Sequence, residues 1–278
     1  MGLFIASLNS GSNGNCYYIG NQHEAILVDA GLSGRETNAR MERIGLNPKK
    51  LKAVFITHEH GDHIKGVRSL VKKFKVPVYI TNNTLEQGRI KLKDPFIKHF
   101  SPYVPVRIGG LSIVAFPKYH DACDPHSFIV TSNYTNVGIF TDIGRACKDV
   151  VHHFKQCHAA FLEANYDEEM LDKGSYSYAL KNRIRGGHGH LSNKQALQLF
   201  LQHRSPFMSH LFLSHLSENN NRPEIVQNLF RPCAGKTTIV VASRYEETPV
   251  YDITTSNGVA MRPLRARVTK NEFQLSLF

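Results

Sequence analysis

Several things are missing from this chain, and each absence excludes a class of protein. No run of about 18 apolar residues occurs, so no membrane-crossing helix is expected. The opening Met1-Gly2-Leu3-Phe4-Ile5-Ala6-Ser7 lacks a basic start and soon turns polar, so it reads as a first strand rather than a secretory leader. The five cysteines (Cys16, Cys123, Cys147, Cys157 and Cys233) are odd in number, scattered, and form no Cys-x-x-Cys pair. That pattern argues against a disulfide framework or a cysteine zinc site and for a reducing cytoplasm. Repeats and low-complexity segments are also absent.

What is present is a chain of 278 residues, 41% hydrophobic, enough for one large core or two modest ones. Its net charge of +11 concentrates anions and favours phosphate-rich partners, although many cytoplasmic proteins are basic without binding nucleic acid. Histidine is abundant, at 15 residues. Eight of these (His23, His99, His126, His152, His153, His158, His203 and His210) sit in no spacing that suggests chemistry and read as surface or hydrogen-bonded side chains.

The first half reads as short strands with turns: Leu3–Ser7, Asn15–Ile19, Ala25–Asp29, then Lys52–Thr57, Val76–Ile80, Leu111–Phe116, Ser127–Thr131 and Val137–Thr141. Gly20-Asn21-Gln22 reads as a hairpin turn. Helical spacing covers Arg35–Ile44, stopped by Gly45, and His63–Phe74, with Ile64, Val67, Leu70 and Val71 on one face. The second half offers strands at Ala159–Glu163, Leu211–Ser214 and Thr238–Ala242. Its helices are expected at Tyr176–Ile184, Ser192–Gln202 and Pro223–Phe230, with a Ser192/Gln195 capping box and Pro223 at a first helical position. Strand clusters with helices between them predict two packed sheets covered by helices. One domain is expected over 1–260, followed by a basic tail over 261–278.

The densest chemistry lies in Thr57-His58-Glu59-His60-Gly61-Asp62-His63. Three imidazoles and a carboxylate fall where a strand ends and a helix begins. His58 and His60 are two apart, so an extended backbone points both to one side. Asp62 and His63 follow the turn at Gly61 and can face a second point nearby. Imidazole and carboxylate suit zinc, manganese and iron alike. A solvated polar loop is the plain alternative, but it does not account for so tight a cluster, which would repel when protonated and be costly if buried unpaired. Further polar residues end other apolar stretches: Asp29 after Ile26-Leu27-Val28, His120 after Val114-Ala115-Phe116-Pro117-Lys118-Tyr119, Asp142 after Val137-Gly138-Ile139-Phe140-Thr141, and His215 after Leu211-Phe212-Leu213-Ser214. Each alone could be a turn residue or a helix cap, Asp142 especially. Together they would gather on one rim of a sheet.

This order of residues resembles the five motifs of the metallo-β-lactamase superfamily, over roughly Leu3 to Ala242. The resemblance implies an α+β fold, an αββα sandwich with the site on one edge of the sheets. It implies two divalent metal ions, one held by His58, His60 and His120 and the other by Asp62, His63 and His215. Asp142 would bridge them, Asp29 would orient ligands from behind, and Asp62 would be required for catalysis. Glu59 stands at a variable position and receives no role. Two cations about 3.5–4 Å apart would acidify a bridging water and offer hydroxide at neutral pH.

Within the superfamily, the chain resembles the YycJ/WalJ group of bacterial proteins. The stretches that carry this are Ser10-Gly11-Ser12-Asn13-Gly14-Asn15, His120-Asp121-Ala122, Thr141-Asp142-Ile143-Gly144, Glu163-Ala164-Asn165-Tyr166-Asp167, Gly189-His190-Leu191-Ser192-Asn193 and Leu213-Ser214-His215-Leu216-Ser217-Glu218-Asn219-Asn220. The group is related to nucleases such as tRNase Z and ribonuclease J, which implies phosphodiester hydrolysis, with DNA favoured over RNA and exonuclease activity leading. His190, and less so His188, are candidates for a phosphate contact or a proton donor to the leaving group. Lys118, Arg183 and Arg185 could meet the substrate backbone, with surface solubility the plain alternative for each taken singly.

The chain ends in Gln274-Leu275-Ser276-Leu277-Phe278, which resembles the short peptide by which bacterial replication and repair proteins bind the sliding clamp. Basic residues upstream could serve as a tether. A tail docked on the protein's own core is the plain alternative. Two other functions remain open: a small-molecule hydrolase such as a glyoxalase II-like thioesterase, and a non-catalytic clamp-binding module.

Overall fold

In a computed structural model of the chain, residues 2–254 are described. Numbered in chain order, the first sheet contains β1 (Leu3–Asn9), β2 (Cys16–Gly20), β3 (Ala25–Val28), β4 (Leu51–Phe55), β5 (Val78–Tyr79) and β6 (Ile97–Lys98), with β14 (Tyr251–Ile253) on its β1 edge. The second contains β7 (Val106–Ile108), β8 (Leu111–Pro117), β9 (His126–Ser132), β10 (Thr135–Phe140), β11 (Ala159–Glu163), β12 (His210–Ser214) and β13 (Thr238–Val241), in the spatial order β13-β12-β11-β10-β9-β8-β7. The helices are α1 (Gly34–Arg43), α2 (Gly61–Ile64), α3 (Val67–Phe74), α4 (Asn82–Gln87), α5 (Lys148–Phe154), α6 (Glu168–Lys173), α7 (Tyr178–Arg185), α8 (Asn193–His203) and α9 (Pro223–Phe230).

The central strands are apolar on both faces because both faces are covered. In β3, Ile26 and Val28 enter the core between the sheets, while Ala25 and Leu27 meet the outer helices. In β11, Ala159 and Phe161 point into the inter-sheet core, and Ala160 and Leu162 point outward. Met41 of α1 and Val67, Leu70 and Val71 of α3 cover the first sheet. Val150 and Phe154 of α5, Phe200 of α8 and Phe230 of α9 cover the second. This is the expected αββα sandwich. Strands β3 to β6 run parallel to one another, as do β10 to β13, so their carboxyl ends collect at the sheet rims.

Local signals read from the sequence reappear. Ser192 and Gln195 form the reciprocal capping box of α8, and Pro223 opens α9. Three readings need correction. The helix expected over His63–Phe74 is broken into α2 and α3 at Lys65–Gly66. There the Gly66 amide donates to the Ala30 carbonyl (2.8 Å), and a Cβ on Gly66 would lie 1.7 Å from the Leu32 oxygen. The break lets two backbones touch directly behind the His-rich run. The β2–β3 turn lies one residue later than expected, with the Asn21 amide donating to the Glu24 carbonyl at 2.8 Å. Asp142 caps no helix, since α5 begins only at Lys148. Strands β6 and β7 and helices α4, α5 and α6 were not foreseen; most are one or two turns or two or three residues long and carry little periodicity. The 274–278 peptide lies outside the described residues.

Candidate metal centre

One rim of the sandwich gathers all the residues singled out from the His-rich run and the strand ends. After β4, the extended backbone places His58 and His60 with Nε2 and Nδ1 3.1 Å apart, and His120 Nε2 comes within 3.2 Å of the same His60 nitrogen. Around the turn into α2, Asp62 Oδ2 lies 3.4 Å from His63 Nε2 and 3.3 Å from His215 Nε2. Asp142 sits between the two groups: Oδ2 is 3.3 Å from His63 Nε2, and Oδ1 is 3.5 Å from His215 Nδ1 and 3.8 Å from His120 Nε2. Asp29, Asp142 and His215 each leave their strand with positive φ, at 65°, 56° and 56°. Non-glycine residues rarely adopt this left-handed turn; here it swings the side chain onto the rim at the strand's end.

An outer partner fixes most of the imidazoles. Asp29 Oδ2 is 2.7 Å from His63 Nδ1, while its Oδ1 accepts from the Thr57 amide and hydroxyl at 2.9 Å each. Thr57 Oγ1 lies 2.9 Å from His58 Nδ1. The Gly189 carbonyl lies 3.1 Å from His120 Nδ1. Glu163, wholly buried at the end of β11, reaches His215 Nδ1 at 3.0 Å and His190 Nδ1 at 2.7 Å, and accepts from the Ile143 and Leu191 amides. In each case one ring nitrogen is held from outside, leaving the other free to face the rim. Asn15, from the glycine-rich loop after β1, donates to Asp62 Oδ2 at 3.0 Å.

These residues fit divalent metal ions. His60 Nδ1 meets two ring nitrogens at once, a convergence that one proton cannot serve in both directions. Asp142 Oδ2 is buried and accepts no well-aligned hydrogen bond; the His63 nitrogen 3.3 Å away is out of line. Four overlapping sets of donor atoms could hold a metal: His58, His60 and His120; Asp62, His63 and His215; His58, His63 and Asp142; and Asp142, Glu163, His190 and His215. Among the described residues, none of the eight histidines set aside above belongs to such a set.

The electrostatics carry the same message. Burial drives the His58 imidazole well below the usual histidine range, and the charge on His63 adds to it. Burial also lowers His120, to about 4. His63 and His215 go the other way. Burial opposes their charge, but Asp142, Asp29 and Asp62 hold His63 well above its ordinary value, and Asp142, Asp62 and Glu163 bring His215 to about 10. Glu163 is held down at about 2, against its burial, by His190 and His215. Without metal, protons on His63 and His215 balance the carboxylates, and a cation would take their place.

Glu163 and Asn15 stand within the stretches that resemble the YycJ/WalJ group, but the sequence alone assigns them no role. A lone Glu at the end of an apolar strand carries no spacing signal; only the parallel pairing of β11 with β10 and β12 sets it beside Asp142 and His215. His190 lies at the site, partly exposed, with its ring centroid 5.2 Å from His120 and 5.4 Å from His215. Lys118 is not placed to meet a substrate: it is buried and donates inward to the Thr141 carbonyl at 2.7 Å. Arg183 and Arg185 are exposed but paired, with Asp121 at 2.5 Å and Asp172 at 2.9 Å.

The sequence profile of the Metallo-beta-lactamase superfamily matches residues 10–177, and the chain belongs to this superfamily. It is accordingly a metal-dependent hydrolase. More narrowly, it falls with the YycJ/WalJ proteins. It is 35% identical over 232 residues to the exodeoxyribonuclease YycJ of Bacillus anthracis, covering 82% of this chain and 87% of the relative. It is 33% identical over 230 residues to the exodeoxyribonuclease WalJ of Streptococcus pneumoniae, covering 81% and 86%. Among solved structures, the metallo-beta-lactamase fold protein YhfI of Bacillus subtilis superposes with a TM-score of 0.71 at 15% identity, over 91% of this chain and 100% of the other. Human tRNase Z, short form, superposes with a TM-score of 0.60 at 16% identity, over 89% and 99%. Among the described residues, no helix is long and apolar enough to cross a membrane.

Proposed function

We propose that the chain is a phosphodiesterase that removes nucleotides from DNA ends in the cytoplasm, using two divalent metal ions. The observation that carries the reading is a pair of separate donor triads, His58/His60/His120 and Asp62/His63/His215, with Asp142 reaching into both. One triad would hold each cation and Asp142 would bridge. Zinc and manganese fit this nitrogen and oxygen set, and iron does as well. DNA is favoured because the YycJ and WalJ relatives, matched over most of their length, are named exodeoxyribonucleases, and because the net charge of +11 suits a polyanion.

When bound, two such cations supply charge neutralisation at a phosphate and a water acid enough to attack at neutral pH. The chain's own residues do the rest. Asp29, Thr57, Gly189 and Glu163 hold the imidazoles in fixed tautomers, so the donor atoms need no rearrangement. His190, held at Nδ1 by Glu163, keeps its Nε2 for the substrate. We assign it proton donation to the departing oxygen. Asn15 steadies Asp62 from the opposite side.

Metal-loaded protein should shorten end-labelled single- or double-stranded DNA, more readily than RNA of the same sequence, while Asp62→Ala should not. No cleavage with zinc, manganese or iron would overturn the reading. We further propose that Gln274–Phe278 binds a sliding clamp and raises the local concentration of the enzyme on DNA. Deleting 274–278 should abolish clamp binding and spare the hydrolysis of short free substrates. Equal loss of both would make the peptide structural.

A further inference from the structure

Three loops close the second sheet's side of the site, and each carries one residue inward and another outward. The 118–125 loop turns His120 in and leaves Tyr119 39% exposed. The segment after β10 turns Asp142 in and leaves Arg145 exposed. The loop before α8 turns His190 in and leaves His188 exposed. The outward residues meet: the Arg145 guanidinium lies 3.7 Å from the centre of the Tyr119 ring, and the His188 ring stands edge-on to Tyr119 at 5.5 Å. The loops are tied directly behind them. The Gly144 amide donates to the Tyr119 carbonyl at 2.7 Å, and a Cβ on Gly144 would lie 2.4 Å from the Gly187 oxygen. The platform is therefore fixed to the backbones that position His120, Asp142 and His190.

Arg145 also differs from the other cations at this rim. Arg183 and Arg185 are paired with Asp121 and Asp172, whereas Arg145 makes no ion pair among the described residues. An unpaired, exposed guanidinium stacked on the ring of a partly exposed tyrosine offers charge to a phosphate and a planar surface to a base, the combination that holds unpaired nucleic-acid strands. Beside it lies the metal-site cleft itself, about 260 Å³, lined by His60, Asp62, Asp142, His190 and His215 together with Arg183.

We propose that Tyr119, Arg145 and His188 form a docking platform for single-stranded DNA, holding the strand that leads to or from the scissile phosphate. This deepens the function proposed above and rests on it. The platform acts on binding, so its loss should raise KM for a strand and spare the turnover of a diester too small to reach it.

The test compares wild type with Tyr119→Ala, Tyr119→Phe and Arg145→Ala, all metal-loaded. Substrates are a single-stranded oligonucleotide of DNA, the same sequence as RNA, a blunt DNA duplex, and bis(p-nitrophenyl) phosphate. On single-stranded DNA, Tyr119→Ala is expected to raise KM by about tenfold or more, as stacking on one ring is worth about 1–3 kcal/mol per base. Tyr119→Phe should restore it. Arg145→Ala should also raise KM and flatten the salt dependence by about one phosphate. All three should hydrolyse bis(p-nitrophenyl) phosphate at the wild-type rate. If wild type cleaves single-stranded DNA and the alanine variants keep its KM, the platform is refuted while the nuclease reading stands. If the variants weaken duplex or RNA turnover instead, the assigned occupant is wrong. If they lose the small diester equally, the residues only support the loops. If wild type cleaves none of the substrates, the nuclease reading fails first.

Discussion

The two sheets build the site in contrasting ways. The first supplies His58, His60, Asp62 and His63 from one six-residue segment that runs from the exit of β4 into α2, backed by Asp29 from the end of the neighbouring strand. The second supplies His120, Asp142, Glu163, His190 and His215 from five separate places spread over nearly a hundred residues, backed largely by one another. The first half is fixed by local geometry: strand alternation, a turn at Gly61, and a backbone contact behind it at Gly66. The second half exists only because β8, β10, β11 and β12 end at one level. The contiguous half should tolerate damage to its surroundings, and the assembled half should depend on Glu163, its shared anchor.

The largest effect should come from the contiguous half. Asp62→Ala removes an oxygen that lies within 3.4 Å of both His63 and His215. We expect hydrolysis of any diester to fall on the order of 10³-fold, since a Lewis-acid site is worth several kcal/mol. Initial rates at saturating metal check this, and a variant within tenfold of wild type would remove Asp62 from the site. In the assembled half, His190→Ala should lower DNA turnover by about 10²-fold if it donates a proton. It should matter much less for bis(p-nitrophenyl) phosphate, whose leaving group needs no proton. Equal losses on both substrates would make His190 a binding residue instead.

The comparison is sharpest between the two buried carboxylates that orient histidines. Asp29→Asn and Glu163→Gln keep shape and remove charge. Each should cost about 10–100-fold in metal affinity or activity. Glu163→Gln should do more, because Glu163 reaches two imidazoles where Asp29 reaches one. Metal titration followed by protein fluorescence or calorimetry ranks them. The reverse order would mean that the contiguous half is the more fragile.

Smaller effects concern stability. Removing metal by chelation should lower Tm by several degrees, since a ligand at a hundredfold excess over Kd stabilises by about 2.7 kcal/mol. The metal-free protein should also show a characteristic pH profile. His215 is raised to about 10 in the folded chain, so its contribution is complete below its ordinary 6.5 and is lost as pH climbs towards 10. Glu163 is lowered to about 2, so its contribution is complete above its ordinary 4.5 and is lost as pH falls towards 2. His58 and His120, lowered by burial, act in the opposite sense and cost stability as pH falls below 6.5, so melts of the chelated protein should peak near 6.5. Metal should move the optimum upward by displacing the proton from His215. An unchanged optimum would argue that His215 does not hold metal.

The site was unevenly legible. His58 to His63 announced themselves because ligands spaced by two along a strand need no tertiary information to converge. Asp29, His120, Asp142 and His215 could be nominated as polar residues ending apolar strands, but their meeting rested on a resemblance until the sheet order placed them. Glu163 shows the limit, since it ends β11 in the same way and yet signals nothing by itself. Lys118 shows the opposite error: a lysine beside a site histidine suggested a substrate contact, yet its ammonium turns inward to the Thr141 carbonyl. The broken helix at Gly66 has the same origin, because apolar spacing continues through a point where the Ala30–Leu32 backbone must come close.

The sequence by itself determined the αββα layering and the metal-binding character of the His58–His63 segment, since both follow from short-range patterns of polarity and spacing. Only the tertiary structure decided which carboxylate anchors His190 and His215, which cations are already paired, and which side chains face out from the loops that hold the site. Those outcomes depend on strand register and loop contacts between residues far apart in the chain, and no local pattern encodes them.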